Sequence, residues 1–397
     1  MERAELIAIV ESTGCARERG GRWFLCDPQA SETTRAELAA ILEQSQSLPL
    51  QGPRGWLCIP SGGTSGRLKF AMHDEETLGA AVAGFCRHFG FARVNAVDVL
   101  PPHHVSGFMA RVRSAATRGK RIEWAWKALE RGERPELPET EDGWVISLVP
   151  TQLQRLLSSA EACVWLRAFR VIFLGGGPAW PELAEQAAKE KLPISICYGM
   201  TETAAMVTAL VPSAFATGVR TCGQVMPHAR VRIVDENTGR EVSAGERGLV
   251  QVGGGSLYRG YFPEQRRRDF LDTNDLGALD KNGLQIFGRR DAVIITGGKK
   301  VFPSDVEEAL RATGLFDDVV VIGMADAEWG QRVVACHPSQ ARSIDIQKMD
   351  TALAGLAAYQ RPKQFLEIKD WPRNAQGKVN RDALRRAAET AATSSDQ

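Results

Sequence analysis

The stretch Ser61-Gly62-Gly63-Thr64-Ser65-Gly66-Arg67-Leu68-Lys69 packs three glycines, three hydroxyl side chains and a lysine into nine positions. Glycines let successive backbone N–H groups turn toward an anion, hydroxyls add donors, and a lysine supplies a point charge. Such a composition suits the handling of phosphate. Two common phosphate loops are excluded. A Walker A loop needs Ser or Thr after its Gly-Lys pair, whereas Gly119-Lys120, Gly298-Lys299 and Gly377-Lys378 are followed by Arg121, Lys300 and Val379. A dinucleotide fingerprint fails because Gly175 and Gly177 meet Trp180 where a third glycine is required.

Further polar clusters follow in order: Tyr198-Gly199-Met200-Thr201-Glu202, Gly245-Glu246-Arg247-Gly248, Tyr258-Arg259-Gly260-Tyr261, Thr273-Asn274-Asp275, Gly288-Arg289-Arg290-Asp291 and Asn374-Ala375-Gln376-Gly377-Lys378. Together with the Ser61–Lys69 loop, this ordered set resembles the signatures of the adenylate-forming superfamily, which includes acyl- and aryl-CoA ligases, peptide-synthetase adenylation domains and luciferases. The resemblance spans nearly the whole chain. It implies that a carboxylate is joined to AMP with release of pyrophosphate, and that a thiol then displaces AMP. Positioned cations and donors around the α-phosphorus supply most of such catalysis.

Residue by residue, the resemblance implies that Ser61, Gly62, Thr64, Ser65, Gly66 and Lys69 hold the β- and γ-phosphates of ATP. Thr201 would donate to the α-phosphate and Glu202 would hold Mg2+ with phosphate oxygens. Tyr198 and Gly199 would lie against adenine, Asp275 would accept from the ribose hydroxyls, and Arg289 would assist. Asn274 stands where the family has glycine, and asparagine is among the side chains that best tolerate positive φ. Lys378 is the expected catalytic lysine, bridging the acid and the α-phosphate. Asp291 falls at the hinge of a small mobile domain, and its rotation would bring Gly297 and Gly298 to the site, leaving room for the pantetheine of coenzyme A.

For the acid, Pro101-Pro102-His103-His104-Val105-Ser106-Gly107 matches a family segment in which His104 closes the acyl pocket. Trp144-Val145-Ile146-Ser147-Leu148-Val149-Pro150-Thr151-Gln152-Leu153-Gln154-Arg155-Leu156-Leu157 and Leu174-Gly175-Gly176-Gly177-Pro178 are similar to the o-succinylbenzoate–CoA ligases of menaquinone biosynthesis, with Gly175 and Gly176 at the acid. That substrate carries a second, spectator carboxylate, which requires a paired donor. Helical spacing puts Gln152 and Arg155 on one face, opposite Leu153 and Leu157, which makes them the expected donors. Arg111, Arg113, Arg118, Lys120 and Arg121 are expected to form a solvated face, as are Arg266-Arg267-Arg268. The rival readings are a ligase for another aromatic or aliphatic acid, a stand-alone or carrier-loading adenylation enzyme, and a relative that only binds nucleotide; intact Lys69, Glu202, Asp275 and Lys378 oppose the last.

These residues need a scaffold. Between Gly143 and Glu202, short apolar runs (GWVISLVP, FRVIFLGGG, LPISICYG) alternate with helical periods, which predicts a parallel sheet with crossover helices. From Gly223 to Tyr261, alternating strands and the Asn237-Thr238-Gly239 turn predict an antiparallel β subdomain. The expected fold is therefore α/β: a large domain over residues 1–288, with mixed sheets and an antiparallel subdomain, and a small α+β lid over residues 289–397. In the lid, Ser304 and Glu307 read as a capping box and Gly314 as a helix stop. The terminal residues RRAAETAATSSDQ are expected to fray. About 60 residues precede the phosphate loop, short for the superfamily, so a sheet edge is expected to need cover from a helix or from a second copy in a homodimer.

Composition fits this picture. The chain has 397 residues, 44% hydrophobic and 24% charged, with 49 basic against 48 acidic residues and a formal charge of +1. No charge excess argues for nucleic acid or an anionic membrane. The eight cysteines include no Cys-x-x-Cys pair and read as reduced thiols. No membrane-spanning run and no signal sequence is legible, which predicts a cytoplasmic protein.

Overall fold

The structure is a computed structural model that describes residues 1–62, 68–265, 269–316, 318–339, 346–373 and 379–395. The expected parallel sheet forms from strands whose residues are almost all buried, as befits strands covered by helices on both faces. Arg121–Glu123, Asn95–Asp98, Trp144–Leu148, Val171–Leu174 and Ile194–Met200 run parallel in that spatial order. Ala205–Ala209 and then Gln224–Val225 extend the sheet antiparallel. Helices Pro150–Leu156, Ala160–Arg167 and Pro181–Lys189 make the crossovers, and their apolar faces join the strands in one core around Leu153, Leu166, Ile172, Leu183 and Ile194.

A second sheet orders Ala16–Arg19, Arg22–Leu25, Leu57–Gly62 and Leu68–His73, the last two forming the hairpin that residues 63–67, from the stretch expected to handle phosphate, connect. Its outer strand carries exposed Arg17, Glu18 and Arg19, charges that blunt an open edge. The expected antiparallel subdomain comprises Ala229–Val234, Gly248–Gly254, Phe270–Asp280 and Gly283–Arg289. A further sheet combines Ile294–Thr296, Lys299–Val301, Gly330–Pro338, Val320–Asp326 and the parallel Gln364–Ile368, with apolar clusters of its own around Val306 and Val321 on one face and Leu366 and Leu384 on the other.

Two lid expectations are corrected. Ser304 does not cap its helix, Pro303–Ala312: Phe302 is the cap residue, and the Ser304 hydroxyl donates to the Phe287 carbonyl. Glu307 is buried and accepts from the Val321 N–H at 2.9 Å and from Arg381 at 2.8 Å. Of the terminal stretch expected to fray, residues 385–395 belong to helix Arg381–Ser395, whose Leu384, Ala388 and Ala392, at four-residue spacing, are buried on the sheet; residues 396–397 lie outside the described residues. Gly314 does stop its helix, at φ +66°. Arg247 lies between Phe287 and Phe302, with its guanidinium 3.9 Å and 4.3 Å from the two ring centroids. Among the described residues, no helix is long and apolar enough to cross a membrane.

Candidate active site

The strand Ile194–Met200 delivers Tyr198 and Gly199 and ends in a 3-10 turn, Thr201–Thr203. Thr203 staples that turn: its hydroxyl oxygen accepts from the Met200 N–H at 3.1 Å and donates to the Ala205 carbonyl at 2.6 Å. Gly199 is required by close approach, because a Cβ there would lie 2.0 Å from the Ala205 carbonyl oxygen. Thr201 and Glu202 are thereby presented beside the end of Leu57–Gly62.

Glu202 is buried, and its Oε1 accepts from two hydroxyls, Ser61 Oγ at 2.6 Å and Tyr261 OH at 2.5 Å. Among the described residues nothing bonds Oε2. Tyr261 is held by strand-like pairing of its segment to Leu68–His73, through Arg259 N–H to Met72 O (2.8 Å), Met72 N–H to Gly260 O (2.9 Å) and Phe262 N–H to Phe70 O (2.9 Å). The Arg259 guanidinium forks onto Asp74 at 2.6 and 2.9 Å, anchoring that segment. Burial opposes ionisation of Asp74, but Arg259 and the Thr77 and Gly55 N–H groups outweigh it and hold the carboxyl below its usual range. Lys69, opposite Ser61 in register, has its Nζ 5.7 Å from the Tyr261 ring centroid.

His73 backs the same turn. Its Nε2 lies 2.8 Å from the Thr201 carbonyl, which only accepts, so Nε2 carries the proton and Nδ1 accepts from the Thr77 hydroxyl. Burial pushes this imidazole down to about 4, which keeps it neutral.

At the other end of Tyr198, the phenol donates to Asp275 Oδ2 at 2.6 Å. Burial, reinforced by Asp275, pushes the phenol well above its ordinary range, so it remains a donor. Asp275 pairs in register with Arg289, whose Nη1 is 3.8 Å from Asp275 Oδ1. The guanidinium's shorter contacts go to Asp291, at 2.9 and 3.1 Å. Asn274 adopts φ +65°, the conformation expected of a glycine substitute, and its amide donates to Asp291 Oδ2 at 2.8 Å.

Of the residues expected at the acid, His104 precedes helix Val105–Ala116, with its ring 4.2 Å from that of His103. Gly175 must be small, since a Cβ would stand 2.8 Å from Cys197 Sγ, and Gly176 has φ +80°. Gln152 spends its Oε1 on the Val149 N–H at 3.0 Å, and exposed Arg155 is ion-paired with Glu130. The solvated face expected at Arg111 and Arg113 is corrected, for both are buried. Arg111 pairs with Asp98 at 3.2 Å and Glu123 at 3.3 Å. Arg113 packs its guanidinium 4.2 Å from the Phe85 ring centroid, leaves Nε without a partner among the described residues, and lines a small cavity with Ala110, Ser147 and Phe173. Burial pushes its guanidinium down to about 10. The spacing Ser106, Ala110, Arg113 along one helix face was the signal that the sequence offered for it.

Gly297 and Gly298 form the turn between Ile294–Thr296 and Lys299–Val301 at φ +54° and +74°, with the Trp329 ring 2.8 Å from where a Gly297 Cβ would stand. Lys378, Thr64, Ser65, Gly66 and the Arg266–Arg268 run lie outside the described residues. No cluster of three or more His, Cys, Asp or Glu that could hold a metal occurs among the described residues. A single buried carboxylate with one unoccupied oxygen fits Mg2+, which takes most of its ligands from phosphate and water.

The comparisons identify the family and the fold. The family model described as AMP-binding enzyme matches residues 28–262. A 2-succinylbenzoate–CoA ligase of Enterococcus faecalis is 33% identical over 286 residues, 70% of this chain and 58% of that protein. A Bacillus cereus protein of the same name is 32% identical over 62% of this chain and 52% of its own. The chain thus spans little more than half the length of these relatives. The o-succinylbenzoate coenzyme A synthetase (MenE) of Bacillus subtilis in complex with ATP and magnesium is similar with a TM-score of 0.71 and 25% identity, over 84% of this chain and 70% of that one. ATP-bound MatB of Rhodopseudomonas palustris gives a TM-score of 0.73 at 25% identity, over 90% and 78%. With more than half of its length matched by the family model, and with the same fold, the chain belongs to the AMP-binding enzyme family of adenylate-forming proteins.

Proposed function

We propose that this chain is an ATP-dependent acid–thiol ligase that converts a carboxylic acid, o-succinylbenzoate, to its acyl-adenylate with release of pyrophosphate, then transfers the acyl group to coenzyme A. The observation that carries the reading is the Ser61–Glu202 hydrogen bond, which ties the phosphate-handling strand to the Thr201–Glu202 turn. Around it, Lys69 supplies positive charge for the β- and γ-phosphates with Gly62, Thr64, Ser65 and Gly66, and Thr201 donates to the α-phosphate. Tyr198 and Gly199 flank adenine, Asp275 accepts from ribose with Arg289 beside it, and Glu202 holds Mg2+ through Oε2. That ion, when bound, neutralises phosphate charge as pyrophosphate departs. Residues 289–397 act as the lid, turning about Asp291 to deliver Lys378 for the first step and Gly297-Gly298 for the second. His104 closes the acid pocket beside Gly175 and Gly176.

Two cations compete for the spectator carboxylate. Arg155, with Gln152, must first release Glu130, whereas Arg113 is already buried, lacks an anionic partner in the described structure and lines a cavity. A desolvated guanidinium gains most from a carboxylate, and the cavity beside Arg113 has room for about one water, so Arg113 is favoured as a donor acting through that water. The test is pyrophosphate release with a panel of aromatic and aliphatic acids, with and without CoA. Release that is CoA-independent and selective for o-succinylbenzoate supports the reading. Selectivity for a different acid, or release that never leads to a thioester, replaces it with another acid–CoA ligase or a stand-alone adenylation enzyme. Arg113→Leu should raise the KM for o-succinylbenzoate at least tenfold and spare that for ATP; an effect confined to Arg155→Ala would restore the helix-face assignment.

A further inference from the structure

Glu202 Oε1 already accepts two hydrogen bonds, from Ser61 and Tyr261, and a carboxylate oxygen offers two lone-pair sites. Both are filled by donors that approach from different elements, one at the end of strand Leu57–Gly62 and one on the segment paired with Leu68–His73. A carboxylate gripped in this way has lost rotation about its last torsion. From these contacts we infer that Tyr261 is a positioning residue: its hydroxyl, with that of Ser61, locks the Glu202 carboxylate so that Oε2 alone faces the nucleotide, as a single-oxygen ligand for the cation. The inference rests on the assignment of Glu202 to the metal.

Two features support a built device over a chance contact. The segment carrying Tyr261 is tied down at two consecutive residues just before it, by the Tyr258 N–H to the Glu202 carbonyl at 2.8 Å and by the fork of Arg259 on buried Asp74. The same phenol that donates to the carboxylate has the Lys69 Nζ over its ring, 5.7 Å from the centroid, so one side chain meets both the anion and the cation of the site. Monodentate coordination also suits Mg2+, which demands near-octahedral geometry and resists a bidentate carboxylate.

The test is equilibrium Mn2+ binding, read by electron paramagnetic resonance, with a non-hydrolysable ATP analogue and unsubstituted, Tyr261→Phe and Ser61→Ala proteins. Tyr261→Phe should weaken Mn2+ about tenfold, in the range found when a partner of a metal ligand is removed, and should leave metal-free analogue affinity within twofold. Ser61→Ala should weaken Mn2+ in the same direction, and it carries the test if the phenylalanine variant does not fold. Unchanged Mn2+ affinity in a folded Tyr261→Phe protein, or in Ser61→Ala where that variant stands in, overturns the inference alone. If the unsubstituted protein binds the analogue but no Mn2+, the metal assignment of Glu202 itself fails.

Discussion

The Asn274 amide donates to Asp291 Oδ2 across 2.8 Å, linking the turn before Asp275, the proposed ribose acceptor, to the residue proposed as the hinge. Arg289 grips the same carboxylate, and this contact, ahead of the opposing effect of burial, holds Asp291 below the usual carboxylate range. Replacing Asn274 by glycine removes one of these tethers without strain, since glycine accepts φ +65° freely. Loss of one hydrogen bond, about 1 kcal/mol, should raise the opening equilibrium of residues 289–292 roughly fivefold. Amide hydrogen exchange over that segment measures it, and exchange as slow as in the unsubstituted protein would show that Arg289 alone secures Asp291.

Gly199→Ala should be among the most damaging single-methyl changes. Its Cβ would lie 2.0 Å from the Ala205 carbonyl oxygen, a backbone atom in the antiparallel partner of the same strand. The two strands must part, at about 1–3 kcal/mol, and Tyr198 and Thr201 move with them. Both the thermal midpoint and nucleotide affinity should fall; a variant of full stability and affinity would contradict the geometry.

Gly84→Ala tests a more remote contact. A methyl there would sit 1.9 Å from His228 Nδ1, and the ring it displaces donates to the Met206 carbonyl at 3.2 Å. Thermal unfolding should drop by several degrees, while His228→Ala in the same background should recover part of the loss by vacating the space.

Acid sensitivity follows from two imidazoles. Burial pushes both His73 and His228 from 6.5 down to about 4. Below pH 6.5 the unfolded chain takes up protons that the folded chain refuses, so stability falls as pH falls from 6.5 to 4, by up to about 1.4 kcal/mol per unit per histidine. Melting curves at pH 7 and pH 4.5 should differ accordingly, and His228→Asn, which keeps a donor for Met206, should flatten the slope. Equal slopes in the two proteins would remove His228 from the account.

Much of this arrangement was legible as residue types. The strands of the parallel sheet announce themselves as apolar runs, and the positive φ of Asn274 follows from asparagine's tolerance of it. What the sequence concealed were partners. Glu307 looked like a capping residue because its spacing from Ser304 fits, yet burial lets it serve Val321 and Arg381 from elsewhere in the chain. Arg113 looked solvated because charge normally marks a surface, and only the packing of its helix against the sheet turns it inward. The terminal helix was overlooked because alanine at four-residue spacing is a weak apolar signal until a sheet lies beneath it.

The Arg247 guanidinium is shared between a ring on the antiparallel sheet and Phe302, the cap residue of helix Pro303–Ala312 in the segment proposed as a lid. Phe302 would leave this sandwich if the lid turned, whereas Phe287 would stay, so the cation never becomes bare. Parting from one ring at a partly exposed site costs about 0.5–1 kcal/mol. A catch that shallow biases one orientation without freezing it, and leaves the choice of posture to whichever ligand occupies the cleft.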